Sequence, residues 1–390
     1  METASEKRFS RATWFKRTAA LTVVAGVMVG LGACASGGGG GATGGSDAAG
    51  VAEATKALQA AQGVPTWQGP TASVDVSGLK GKRVVYISIS EGIPVLNYWS
   101  TTVTKLALEN AGVIVEVVDG KGSIDEANKA FQQAITTKAD AVFLQAWFTD
   151  VFKTQIAEAK AAGIKVITGN SGSMETGLTG GQDAEVSFDY AEVGRLQADW
   201  MISDSKGTGK GLLVTSDDVP ASQTQAVGFT DQVKKLCPGC GVTIKDVQIP
   251  QWETSIPTLF TTTLNGSPDI KYYLPIYDGQ SLPGLGALRN AGAQDKVQVG
   301  SFNASNGIVQ QINDPTSSLK MDIGGDNTWW SYAATDTIFR VLSGTTPIDN
   351  YKIGLRVFDQ TNKDLIQGED ESKWYGYTGY VQEFQKLWGK

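Results

Sequence analysis

From about residue 83 to residue 302 the sequence alternates between short, nearly continuous apolar runs and longer amphipathic runs, and this alternation constrains the fold more than any other feature. Residues 84–89 (Val-Val-Tyr-Ile-Ser-Ile), 113–118, 141–144 and 164–168 read as strands. Residues 98–110, 123–137 and 151–162 between them have helical periodicity. The punctuation agrees. The first helix runs into Ala111-Gly112 and the third into Gly163, both C-terminal signals, and the second has Ser123 as N-cap with Glu126 three residues on. Strands without a polar face are covered on both sides, and single helical crossovers join them in parallel with right-handed connections.

The pattern then starts again. Helices are predicted at 189–203, 224–236, 255–264 and 282–291, and strands at 211–215, 242–248, 271–276 and 296–302. Two β-α-β halves of similar size define an α/β chain of two doubly wound parallel-sheet lobes joined by a hinge. In such sheets ligands bind outside the carboxyl ends of the strands. The loops expected to hold one are 90–97, 145–150, 169–172, 216–224, 249–254, 277–281 and 303–307.

The N-terminal segment sets the compartment. Lys7, Arg8, Arg11, Lys16 and Arg17 precede an apolar run over 19–31, which ends in Leu31-Gly32-Ala33-Cys34. That is a secretory signal with a cleavage point before Cys34, and it resembles the bacterial lipobox, whose cysteine is lipidated. The competing reading is a transmembrane anchor. The run is about 13 residues, short of the roughly 20 that span a bilayer. Residues 1–33 are therefore expected to be a lipoprotein signal peptide, with the mature chain extracytoplasmic and tethered to the cell membrane through lipid on Cys34. Residues 34–81, with a glycine-rich stretch over 36–46, are expected to be a flexible tether and extension, and the folded part to begin near Lys82. The first lobe is then 82–188 plus 326–350, and the second 189–325 plus 351–390.

Histidine is absent and the net charge is −7. The first removes the usual base of a Ser or Cys triad and the commonest metal ligand. The second argues against a broad nucleic-acid footprint. Cys237-Pro238-Gly239-Cys240 is most simply a small disulfide in an oxidising compartment; a redox pair and a metal pair are the alternatives. A redox pair wants a helix N-terminus, whereas this one follows a helical stretch. Gly207-Thr208-Gly209-Lys210 precedes a strand rather than following one, so it reads as a turn and not a phosphate loop. Residues 359–364 have Lys363 where a calcium loop wants oxygen. No metal or cofactor is expected.

Several local patterns follow one another in order. They are the helix-to-strand segment Ala161-Ala162-Gly163-Ile164-Lys165-Val166, the Gly194-Arg195-Leu196-Gln197-Ala198 helix after Asp189, and Gly228-Phe229. Later come Gly286-Ala287-Leu288-Arg289-Asn290-Ala291-Gly292 with Val299-Gly300-Ser301-Phe302-Asn303, and a late helix over 338–344. Together they resemble the ribose/galactose-type (type I) periplasmic sugar-binding proteins, the solute receptors of ABC importers, here in lipoprotein form. The resemblance spans roughly 82–346 and implies the type I periplasmic binding protein fold. Lactose-repressor-type regulators share that fold but need a helix-turn-helix where this chain has its signal and tether.

The resemblance implies a cleft lined from both lobes. The first lobe would supply Glu91, Asn97, Trp99, Gln145, Trp147 and Asn170. The second would supply Gln225, Trp252, Asp278 and Asn303, with Asp326 on the segment between lobes. Amides and carboxylates in the plane of a sugar and aromatics on its faces are the chemistry a polyol needs. The family commonly has Asp-Arg at Asn170-Ser171, arginine at Gln225, aspartate at Asn303 and glutamine near Gly325. Amides thus replace charges, which disfavours an anionic ligand. The resemblance implies a monomeric, non-enzymatic receptor that takes a small polar ligand, a sugar, to an ABC permease and its ATPase. The alternatives are a ligand-sensing subunit of a membrane signalling protein and a carboxylate-based extracellular hydrolase using Glu91 and Asp278. The aromatic C-terminal segment, 374–388, is expected to pack on the second lobe.

Overall fold

The structure is a computed structural model and describes residues 44–172 and 177–390. In chain order the elements are α1 (Gly44–Ala61), β1 (Arg83–Ser88), α2 (Pro94–Ala111), β2 (Ile114–Asp119), α3 (Ile124–Thr136) and β3 (Ala141–Gln145). Then come α4 (Lys153–Ala161), β4 (Lys165–Gly169), β5 (Ala184–Val186), α5 (Tyr190–Asp204), β6 (Lys210–Thr215), α6 (Pro220–Leu236) and β7 (Gly241–Asp246). The remainder is α7 (Trp252–Gly266), β8 (Tyr272–Pro275), α8 (Asp278–Asn290), β9 (Gln298–Phe302), β10 (Leu319–Gly325), α9 (Asn327–Ser343), β11 (Leu355–Asp359), α10 (Glu371–Trp374) and α11 (Tyr380–Leu387).

Two sheets result. The first has the order β2-β1-β3-β4-β5 and is parallel throughout. The second has the order β11-β10-β9-β8-β6-β7 and is parallel except where β11 runs back along β10. The local signals act as their chemistry dictates. Gly112 ends α2 at φ 66°, a left-handed conformation that costs glycine little. The Ser123 hydroxyl accepts from the Glu126 N–H at 3.4 Å, and Asp189 caps α5 by accepting from the Glu192 N–H at 2.9 Å. Gly194 and Gly228 let α5 and α6 touch backbone to backbone: a Cβ at either would overlap a carbonyl of the other helix. Cys237 and Cys240 are joined in a disulfide that closes the turn between α6 and β7.

Between β1 and β11 the chain crosses from one sheet to the other three times: after β5, after β10 and after α9. The α9 helix follows a strand of the second sheet yet packs on α2, β4 and β5 of the first.

Two expectations are corrected. The folded chain begins well before Lys82. The α1 helix packs on α5 and α6 with Ala54 and Leu58 buried, and Trp67 stacks on Trp329 with ring centroids 5.7 Å apart. The glycine-rich composition of its start hid a helix whose single apolar stripe is enough to dock. The C-terminal aromatics also divide. Tyr375 packs on Phe358 of β11, whereas Trp388 lies on α9, stacked with Tyr332 and donating from Nε1 to Asp336 at 2.8 Å. Residues 1–43, including the signal, Cys34 and most of the glycine-rich stretch, lie outside the described residues. No helix among the described residues is long and apolar enough to cross a membrane.

Candidate ligand-binding site

The ends of β1, β3 and β4 in the first sheet, and of β6, β8 and β9 in the second, converge on one narrow cavity. This is the carboxyl edge that the sheet topology singles out.

Asn170 follows β4 with φ 54°. Its N–H donates to the Val186 carbonyl at 3.0 Å, and the next N–H, of Ser171, donates to Glu185 at 3.0 Å. The turn is thus held while both side-chain atoms, Oδ1 and Nδ2, are buried without a protein partner. Asn303 is built the same way. It follows β9 with φ 120°, and Ala304 follows at 47°. The Ala304 N–H donates to Asp322 at 3.1 Å and the Ser305 N–H to Asp278 at 2.7 Å, while Asn303 Oδ1 is left without a partner. The Tyr277 hydroxyl is likewise unpartnered, and burial holds it protonated by pushing its pKa well above the ordinary value. Leaving a buried polar group unpaired costs about 1–3 kcal/mol. Four such atoms on one cavity, three of them on residues with strained backbone, are groups that a ligand would satisfy.

Two tryptophans face the same space. Trp252 is fixed by its Nε1, which donates to Ser216 Oγ at 3.1 Å and to the Val247 carbonyl at 2.9 Å. Trp99 donates to Asn327 Oδ1 at 3.1 Å and packs on Trp330, with centroids 4.6 Å apart.

Trp99, Asn170, Trp252 and Asn303 are the sequence-derived candidates that line the cavity. The others lie outside its lining. Glu91 accepts from Asn97 Nδ2 at 3.0 Å and from Ser100 Oγ at 2.7 Å, with its Oε1 free of partners. Asn97 is on a neighbouring groove with Asn306 and Glu371. Gln145 accepts from the Tyr86 hydroxyl at 3.2 Å, and Trp147 packs edge-on against Phe152. Gln225 donates to Gln197 and to the Ile276 carbonyl, inside the second lobe. Asp278 spends one oxygen on Ser301 Oγ at 2.6 Å and the other on the Ser305 N–H, so it holds the Asn303 turn. Burial pushes its pKa up to about 6, and burial with repulsion from Asp278 pushes that of Asp322 well up. Asp326 caps α9 through the Trp329 N–H at 2.9 Å, and burial raises its pKa to about 7.

Sequence reasoning passed over Tyr190, Tyr277 and a large aliphatic wall. Ile93, Val95 and Leu96 come from one side, and Val219 and Ile249 from the other. All but Tyr190 lie in or beside the loops the topology selected; apolar residues there read as packing until the cavity is seen. Among the described residues the lining contains no carboxylate, ammonium or guanidinium group. Among the described residues no group of three or more Cys, Asp or Glu is placed to hold a metal ion.

Two α/β lobes that meet over a cavity lined from both define the class of two-lobed solute-binding proteins. The family model described as "periplasmic binding protein domain" matches residues 84–346, and the chain belongs to that family of extracytoplasmic, non-enzymatic binding proteins with the type I fold. Solved structures share this fold. One is a solute-binding protein of an ABC transporter from Agrobacterium vitis with bound allitol, 19% identical, TM-score 0.67, covering 74% of this chain and 98% of that one. Another is an ABC sugar transporter subunit from Rhodobacter sphaeroides, 18% identical, TM-score 0.66, covering 73% and 100%. A third is a 5-methylthioribose transporter solute-binding protein from Thermotoga lettingae in complex with 5-methylthioribose, 15% identical, TM-score 0.69, covering 79% and 99%. No curated protein sequence matches the chain.

Proposed function

We propose that the chain is an extracytoplasmic solute-binding lipoprotein that captures a sugar between its lobes and delivers it to an ABC importer. The observation that carries this reading is the set of unpartnered buried groups, Asn170 Oδ1 and Nδ2, Asn303 Oδ1 and Tyr277 OH, on a cavity walled by Trp99 and Trp252. Amides accept and donate to adjacent hydroxyls, and indole faces stack on sugar C–H faces. Sugar-related ligands in two of the similar structures, allitol and 5-methylthioribose, support the same chemistry. Lipid on Cys34 would keep the receptor beside its permease.

The test is a thermal-shift screen over sugars, polyols, nucleosides and amino acids. A ligand at 100 times its dissociation constant stabilises by about 2.7 kcal/mol. A shift with sugars or polyols is expected, and a shift confined to amino acids would sink the reading. Anchoring is tested separately: Cys34→Ser should release the chain from the membrane fraction or leave its signal uncut. Unchanged processing and fractionation would refute the lipoprotein assignment.

A further inference from the structure

The cavity is unlike a site for a fully hydroxylated sugar, because among the described residues its unpartnered hydrogen-bonding atoms are few and belong to three side chains. Asn170, Asn303 and Tyr277 carry the unpartnered polar atoms of the lining. Much of the rest is aliphatic: Ile93, Val95 and Leu96 in the first lobe, Val219 and Ile249 in the second. A hydroxyl pressed against such side chains loses water and gains no partner, whereas a methylene there gains by leaving water.

The carboxylates that border the cavity do not correct this imbalance. Asp218 sits next to Val219, but its oxygens accept from Ser216 Oγ at 2.8 Å and from the Ile249 N–H at 3.0 Å. Both oxygens of Asp278 are engaged within the second lobe. Glu91 turns one oxygen to Asn97 and Ser100; its second, buried and unpartnered, lies outside the lining. Among the described residues of the lining no cation is placed to meet a phosphate or carboxylate, and no anion to meet an ammonium.

We propose that the site selects a neutral, amphipathic ligand: a sugar whose hydroxyls meet the two asparagines and Tyr277, and which carries an alkyl or aryl substituent against the aliphatic side chains of the wall. This rests on the sugar reading above and narrows it. Each methylene buried on that wall strengthens binding by about fourfold, so a substituent of a few carbons separates the substituted sugar from its parent by more than tenfold.

The experiment is isothermal titration of the full chain in a zwitterionic detergent, with injections into detergent alone subtracted. The probes are ribose, xylose, glucose and galactose, each free and as its methyl, butyl and phenyl glycoside, with glucose 6-phosphate, galacturonate and glucosamine as charged probes. The expected result is that a butyl or phenyl glycoside binds at least tenfold tighter than its free sugar. Val95→Thr and Val219→Thr, near-isosteric changes at the cavity wall, should shrink that ratio at least threefold. The wild-type comparison decides the matter even if a variant fails to fold. A free sugar that binds as tightly as its glycosides, or a charged probe that binds best, overturns the inference and leaves the sugar reading standing. Binding by none of the probes overturns the sugar reading and the inference together.

Discussion

Asn170 and Asn303 occupy backbone conformations that most residues avoid, at φ 54° and 120°, yet their side chains make none of the bonds that would repay burial of those atoms in the free chain. Asparagine tolerates such backbone better than most side chains and carries a donor and an acceptor. Asn170→Gly keeps the backbone at ease and deletes only the amide. It should weaken binding of the ligand found by screening by about 1–3 kcal/mol and leave the melting temperature of the free chain nearly unchanged. Trp252→Ala should weaken binding by a similar amount. Titration of both variants checks this; wild-type affinity in both would remove the cavity as the binding site.

Asp326 carries a second residue-scale consequence. Burial raises its pKa from the ordinary 3.8 to about 7, so the folded chain holds this proton more tightly than the unfolded chain does. The stability linked to it is fully present below about pH 4 and is lost as pH rises through 7. Melting temperature should therefore fall between pH 5 and pH 8. Asp326→Asn keeps an oxygen for the Trp329 N–H and removes the titration, so its melting temperature should fall less over that range. Equal slopes in variant and wild type would show that Asp326 does not titrate there.

At the scale of elements, α1 is part of the fold rather than of the tether. Ala54 and Leu58 face α5 and α6, and the chain beyond it threads along α9, where the Arg340 guanidinium donates to the Ala72 carbonyl at 2.6 Å. Leu58→Ala should destabilise by about 2–3 kcal/mol, and a chain beginning at Lys82 should lose more. Urea unfolding measures both, and an unchanged midpoint for the shortened chain would return residues 44–81 to the role of linker.

On the scale of the whole molecule, the groups that line the cavity come from opposite lobes: Asn170 from the first, Asn303, Tyr277 and Trp252 from the second. A ligand that satisfies both sets favours the closed arrangement over any open one, since only closure pairs both. Small-angle scattering should show a smaller radius of gyration with ligand than without. An identical radius, with a ligand shown to bind, would mean that the lobes do not move.

The alternation of apolar and amphipathic runs determined the two lobes, the parallel strand pairing and the edge where the cavity lies, because local periodicity and crossover handedness leave few topologies open. Capping was legible for the same reason: Ser123 and Asp189 bond within one turn. Half-cryptic elements were not. The short β5, with three residues, and β11, antiparallel at an edge, owe their existence to neighbours in the sheet. The site divides likewise. That Asn170 and Asn303 end strands is readable from the sequence. That Asp278 spends both oxygens holding a turn, and that Val95 and Val219 form a wall while Gln225 is sealed between helices, is not. A side chain's role depends on which partner reaches it first, and for Asp278 and Gln225 those partners lie 23 to 51 residues away in sequence, brought together only when the second lobe folds.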